Sequence, residues 1–189
     1  MVNIEPFGLP FDFTSGEISG AKLIQRRLSS MRGLFADTAE LERIIATEGD
    51  RLVYEVFAAE LPETEGNILF CTTIIQPGTV GNEYHMTKGH YHAKRDRAEV
   101  YLGIAGSGQL LLQLEDGSVR AVPMTPGTAA YVPPYWGHRT VNTGSVPFSL
   151  FAAWPGDAGH DYGTVEVTGF RKLFVMRDGQ PVLVDNPRR

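Results

Sequence analysis

Two histidines, His90 and His92, stand two apart in the stretch GHYHAKRDRAE, and Glu99 follows at the head of the apolar run EVYLGI. In a strand, residues i and i+2 point to one face. Both imidazoles can therefore face the inside of a barrel. In the next strand Glu99, Tyr101 and Gly103 share one face, and Val100, Leu102 and Ile104 share the other. A carboxylate then joins the two imidazoles, and a fourth ligand has to come from elsewhere. His138, in PPYWGH between two predicted strands, is the candidate. Three imidazoles and a carboxylate suit Fe(II), Mn(II), Ni(II) or Zn(II), and an octahedral ion would keep two positions open for substrate or water. An HxH pair alone is weak, because a chance pair on a solvated strand reads the same way. Glu99, the glycine spacings and the second histidine motif turn the balance toward a metal.

Thr87, Lys88 and Gly89 lie just before the pair. A hydroxyl, an ammonium and backbone N–H groups suit a phosphate dianion. A solvated charge is the competing reading of Lys88. His160 and Tyr162 are also two apart, so both can face one pocket. The competing reading is a tyrosine packed at a barrel mouth beside a hydrogen-bonded histidine. His85, in NEYHMT, is off the HxH register and receives no role. Lys94, Arg95 and Arg97, with Asp96 among them, read as a solvated loop.

Strands have to position these groups. Candidates run over 52–61, 67–77, 99–106, 108–114, 118–124, 128–134, 139–142, 147–155, 170–177 and 181–185. Turn signals such as EDG and RDG separate them. Many short strands at close spacing predict an all-β sandwich or barrel. The best helix is 37–49, where Asp37 caps, Glu40 has capping-box spacing, Gly49 stops, and Leu41, Ile44, Ile45 and Glu48 share a face. No linker divides the chain. Residues 1–50 read as an arm and helix packed on one β domain over 51–189. Cys71 in LFCTTII and Trp154 in FAAWP read as core packing.

With 189 residues, 42% hydrophobic and 21% charged, the chain suits one soluble domain. No apolar run approaches the roughly 20 residues of a membrane span. MVNIEPFGLPFDF lacks the basic start and apolar core of a signal peptide, so the expected compartment is the cytoplasm. A single cysteine excludes an internal disulfide and a multi-cysteine zinc site. A formal net charge of −5 disfavours generic binding to nucleic acid or an anionic membrane.

Residues 90–106, H-x-H-x6-E-x6-G, resemble the first cupin motif, with a longer gap than usual before Glu99. Residues 127–142, GTAAYVPPYWGHRTVN, resemble the second, with Tyr135 where glycine is usual. The resemblance implies a double-stranded β-helix, a jelly-roll barrel with the metal inside, carrying an N-terminal arm and one or two short helices. EPFG, GEISGAK, RRLS, VYEV, TKGHYHAKRDRAEVY, DAGHDYGT and VDNPR further resemble the cupin-type glucose-6-phosphate isomerases. That family interconverts glucose 6-phosphate and fructose 6-phosphate, a step of glycolysis and gluconeogenesis, with one divalent metal per subunit, Fe(II) foremost. By resemblance His90, His92, Glu99 and His138 hold the metal, and Glu99 also shuttles the proton. Tyr54, Thr73, Thr87 and Gly89 belong to the phosphate end, while Tyr101, His160 and Tyr162 approach the sugar. Resemblance also implies a homodimer. Another metal-dependent cupin enzyme (an oxygenase or decarboxylase) and a non-catalytic sugar-binding cupin are the alternatives.

Overall fold

A computed structural model describes residues 4–189, so the first three residues of the expected arm lie outside the described part. The strands are β1 (Lys22–Arg27), β2 (Leu52–Ala58), β3 (Ile68–Ile75), β4 (Thr79–Val80), β5 (Glu83–Tyr84), β6 (Tyr91–His92), β7 (Glu99–Ala105), β8 (Gly108–Gln113), β9 (Val119–Met124), β10 (Ala129–Val132), β11 (Gly137–Val141), β12 (Phe148–Pro155), β13 (His160–Asp161), β14 (Lys172–Arg177) and β15 (Gln180–Asp185). Helix α1 spans Thr38–Glu48 and α2 spans Tyr162–Thr168. All the pairings are antiparallel, as the jelly-roll expectation requires.

One sheet has the order β1-β2-β3-β12-β7-β10, and a second has β11-β8-β9. Bridges Met86↔Val141 and His90↔His138 carry the second sheet on beside β11. The sheets meet through one buried cluster that includes Leu150 and Ala152 from β12 and Leu110 and Leu112 from β8. Alternation sets this arrangement. In β7, Glu99, Tyr101 and Gly103 are buried while Val100 and Leu102 are exposed, as the period of two predicts.

The motif glycines have packing reasons. A Cβ on Gly106 would lie 2.3 Å from Pro147 O, and φ there is 69°. Gly89 has φ 74°, and its Cβ would lie 2.8 Å from both Arg139 Cβ and Phe170 Cε2. Tyr135 takes φ 72°, the left-handed region where glycine is free of strain. Glycine is usual at that position for this reason, and a side chain there costs about 1–2 kcal/mol.

Several expectations change. The segment before residue 51 is more than arm and helix, because β1 within it pairs with β2 at the edge of the large sheet. The arm folds back on its own barrel, where Ser149 Oγ donates to Ser15 O at 2.8 Å. Asp37 caps α1 by accepting from Glu40 N at 2.9 Å, but the Glu40 carboxylate accepts from Arg43 rather than closing a capping box. Leu41 and Ile44 are buried, whereas Glu48 is exposed and pairs with Arg43 and Arg51. Among the described residues no helix is long and apolar enough to cross a membrane.

A candidate metal centre beside a cavity

His92 ends β6, Glu99 begins β7, and His138 lies inside β11 rather than between strands. His90 is set opposite His138 by paired backbone bonds, His90 N to His138 O at 3.1 Å and His138 N to His90 O at 2.9 Å. One atom from each of His90, His92, Glu99 and His138 falls within 4.8 Å of the others. His92, Glu99 and His138 are each at most 4% exposed. The four residues named from the sequence therefore converge.

Their hydrogen bonds aim them. His92 Nδ1 faces Arg97 O at 2.9 Å, and His138 Nδ1 faces Trp136 O at 3.2 Å. A ring that donates from Nδ1 to a carbonyl turns its Nε2 lone pair the other way, the usual arrangement behind a metal-ligating histidine. Nε2 of His90 and of His138 is buried without a hydrogen-bond partner among the described residues. His138 Nε2 is 2.9 Å from Glu99 Oε2 yet is not aligned to bond with it. His92 Nε2, by contrast, meets Glu99 Oε2 at 3.1 Å. Burial and the other imidazoles hold His90 well below its ordinary pKa, so its lone pair is available. Burial opposes ionisation of Glu99, but His138 and His92 outweigh it and lower the carboxyl to about 2. Three imidazoles around a carboxylate are a donor set that fits a divalent cation.

The centre borders a cavity of about 620 Å³, a size ordinary for a small-molecule site. His90, Glu99 and His138 line it, whereas His92 lies behind the wall. Tyr54, Thr73, Thr87, Lys88, Gly89, Tyr101, His160 and Tyr162 line it as well, so every candidate substrate residue reaches one space. Lys88 N is 3.5 Å from Tyr54 Oη, and Thr140 N donates to Thr87 Oγ1 at 3.1 Å. Lys88 is partly buried and lines the cavity. Burial, then the Glu99 charge, keeps Tyr101 protonated by raising its pKa well above the ordinary value. His160 and Tyr162 stack with ring centroids 5.7 Å apart, and His160 lies 4.5 Å from the His90 ring.

Sequence reasoning missed Lys22 and Arg26, which line the cavity from β1. The signal was there in KLIQRR, where Lys22, Ile24 and Arg26 alternate, and Arg26 pairs with Tyr54 across the ladder. Trp154 packs against the core, as expected, and also lines the cavity with its indole 5.6 Å from His160. The basic run is a loop with Lys94 and Asp96 exposed, as expected, but its cations are paired. Lys94 and Arg97 pair with Asp157, and Arg95 pairs with Glu115 and Asp161. Cys71 is buried, as expected, and also contributes to the cavity wall. His85 is a buried histidine whose Nδ1 meets Gln76 O at 3.2 Å, outside the centre.

The sequence profile of the family described as "Glucose-6-phosphate isomerase (GPI)" matches residues 25–187. A glucose-6-phosphate isomerase of Pyrococcus abyssi is 54% identical over 97% of this chain and 97% of its own. One of Pyrococcus horikoshii is 53% identical over the same shares, and one of Thermococcus litoralis is 53% identical over 97% of this chain and 96% of its own. Identity above one half across nearly the whole length leaves no part of the barrel or its centre outside the likeness, and the chain belongs to the glucose-6-phosphate isomerase family.

Proposed function

We propose that this chain interconverts glucose 6-phosphate and fructose 6-phosphate with one divalent transition metal per subunit, held by His90, His92, Glu99 and His138. One observation carries the reading. In a member of this family, a carboxylate–imidazole cluster lines a cavity whose wall also carries cations and hydroxyls. Fe(II) is our first assignment, ahead of Mn(II), Ni(II) and Zn(II). Bound there, such an ion supplies Lewis-acid stabilisation of negative charge developing at the C1 and C2 oxygens.

The chain's own residues do the rest. Arg26, Lys88, the hydroxyls of Tyr54, Thr73 and Thr87, and the Gly89 backbone hold the phosphate dianion. This local positive charge overcomes the overall −5. Tyr101, His160 and Tyr162 orient the sugar. Glu99 meets both imidazoles through Oε2, which leaves its other oxygen to take the C2 proton and return it to C1 through an enediol(ate). Burial of the centre excludes water from the proton in transit.

Outward-facing Ile68, Val100, Leu102 and Tyr131 are all exposed on the outer face of the large sheet. We assign this apolar face to a second copy, giving a homodimer whose mass in solution tests it. The assigned compartment is the cytoplasm, where phosphorylated hexoses are held by their charge.

The test of the reaction is fructose 6-phosphate turnover by metal-stripped protein, with Fe(II), Mn(II), Ni(II) or Zn(II) restored singly. Turnover should return with metal. Absence of turnover in protein that has rebound each metal would overturn the isomerase and turn attention to oxygenase, decarboxylase or simple sugar-binding roles.

A further inference from the structure

His160 and Tyr162 reach the cavity from a segment with slight backbone support. Its ladder with the HxH strand is two residues long, pairing His160 with His92 and Asp161 with Tyr91. Two more backbone bonds follow, Ala93 N to Gly159 O and Lys94 N to Ala158 O. Asp161, between the two cavity residues, faces Arg95.

The Arg95 guanidinium uses every edge. Nη2 donates to Asp161 Oδ2 at 2.6 Å and to Thr164 Oγ1 at 3.4 Å. Nη1 donates to His92 O. Nε donates to Glu115 Oε1 at 3.0 Å, and the plane lies over the Tyr91 ring, 4.8 Å from its centroid. Asp161 passes the constraint on. Its Oδ1 accepts from Thr164 N at 3.0 Å and its Oδ2 from Thr164 Oγ1 at 2.6 Å, which caps α2 at the turn where Tyr162 begins. One planar side chain thus ties the carbonyl of a centre histidine to the residue between His160 and Tyr162.

We infer that Arg95 is a positioning residue that sets the His160–Tyr162 wall against the metal centre, an inference that rests on the isomerase reading above. The side chains of Arg95 and Asp161 are 26% and 28% exposed. The pair is part-buried, so its contribution to stability is read separately, from the melting temperature. Its consequence is geometric, since misplacing a substrate-facing group by about 1 Å costs on the order of 100-fold in rate. Arginine is needed because a fork reaches several acceptors at once, which lysine's point charge does not.

Arg95→Ala, Arg95→Lys and Asp161→Asn are compared with wild type, all metal-loaded, for kcat, KM, bound metal and melting temperature. Arg95→Ala is also placed in a His160→Ala/Tyr162→Phe background. In the wild-type background Arg95→Ala should lower kcat about 10- to 100-fold with metal content retained, and Arg95→Lys should recover part of it. In the double-variant background the same change should cost less than about twofold, because the groups it positions are gone. An unchanged kcat, an equal loss in both backgrounds, or metal lost in step with rate would overturn the positioning role. If Arg95→Ala does not fold, Asp161→Asn carries the test, because asparagine keeps the helix cap while removing the charge. Wild-type turnover before and after chelation is measured alongside. Its failure would sink the isomerase reading itself, whereas normal wild-type turnover beside an unaffected Arg95→Ala would sink only this inference.

Discussion

Replacing His138 with alanine removes one of four converging groups from a site that is costly to bury empty. Among the described residues, His90 and His138 each carry a buried Nε2 without a hydrogen-bond partner, and an unpaired buried group costs about 1–3 kcal/mol. A metal relieves both. At a free concentration about 100 times its Kd, binding stabilises the fold by roughly 2.7 kcal/mol. For a chain of 189 residues, each kcal/mol shifts the melting temperature by about 2–4 °C, so wild type should gain about 5–11 °C. Loss even of a group behind the ligands costs metal affinity about 10- to 100-fold, so loss of a ligand should cost at least about 100-fold. Metal at the same concentration then sits near the variant's Kd, and the gain falls to about 0.4 kcal/mol, or roughly 1 °C. The assay is thermal melting of stripped wild type and His138→Ala across a metal titration, with bound metal measured directly. Equal shifts in the two proteins, or near-normal turnover by fully loaded His138→Ala, would refute the ligand set.

Three further outcomes are expected. Glu99→Gln should lose about 100-fold or more in kcat at matched metal occupancy, the scale of general acid–base catalysis; a rate that only tracks occupancy would leave Glu99 a ligand and no shuttle. Arg26→Ala and Lys88→Ala should each raise KM for fructose 6-phosphate about 10-fold or more, as expected for a charged hydrogen bond, and leave binding of neutral fructose nearly unchanged. Equal effects on both sugars would remove these residues from the phosphate end. Burial, then the Glu99 charge, pushes the Cys71 thiol from an ordinary 9.0 up to about 12. The folded state therefore favours the protonated thiol, and that contribution is complete below pH 9 and lost as pH rises toward 12. Alkylation of native protein should show no thiolate titration near 9, while the unfolded chain should; a native midpoint near 9 would contradict the burial argument.

Much of the centre was legible in the sequence because its logic is local. HxH on a strand, a glutamate heading the next strand and a histidine after a Pro/Gly turn need only the period of two to share a face. Position 135 was legible as an oddity, and its backbone conformation explains the oddity. The β-strand ladder was legible for the same reason, with boundaries off by a few residues. The six-residue β1 was not, and neither were the two-residue β4, β5 and β13, since nothing so short as these last three carries a period. Helix α2 was hidden too, because YGTVEVT is rich in β-branched residues and is held by the Asp161 cap more than by propensity.

What the sequence by itself determined is which residue types face inward together: three imidazoles, one carboxylate, and the hydroxyls and cation beside them. Only the tertiary structure decided which distant strands meet. Pairing of β1 with β2 carried Lys22 and Arg26 into the cavity, although alternation alone says only that they share a face of some strand. Folding of the 157–161 segment against the HxH strand turned an apparent solvated run of Lys94, Arg95 and Arg97 into ion-paired ties, and it placed Trp154 beside His160. The reason is the range of the physics involved. Backbone periodicity is set within a few residues, whereas strand pairing and charge pairing join positions as far apart as Arg95 and Asp161, whose contact exists only once the barrel has closed.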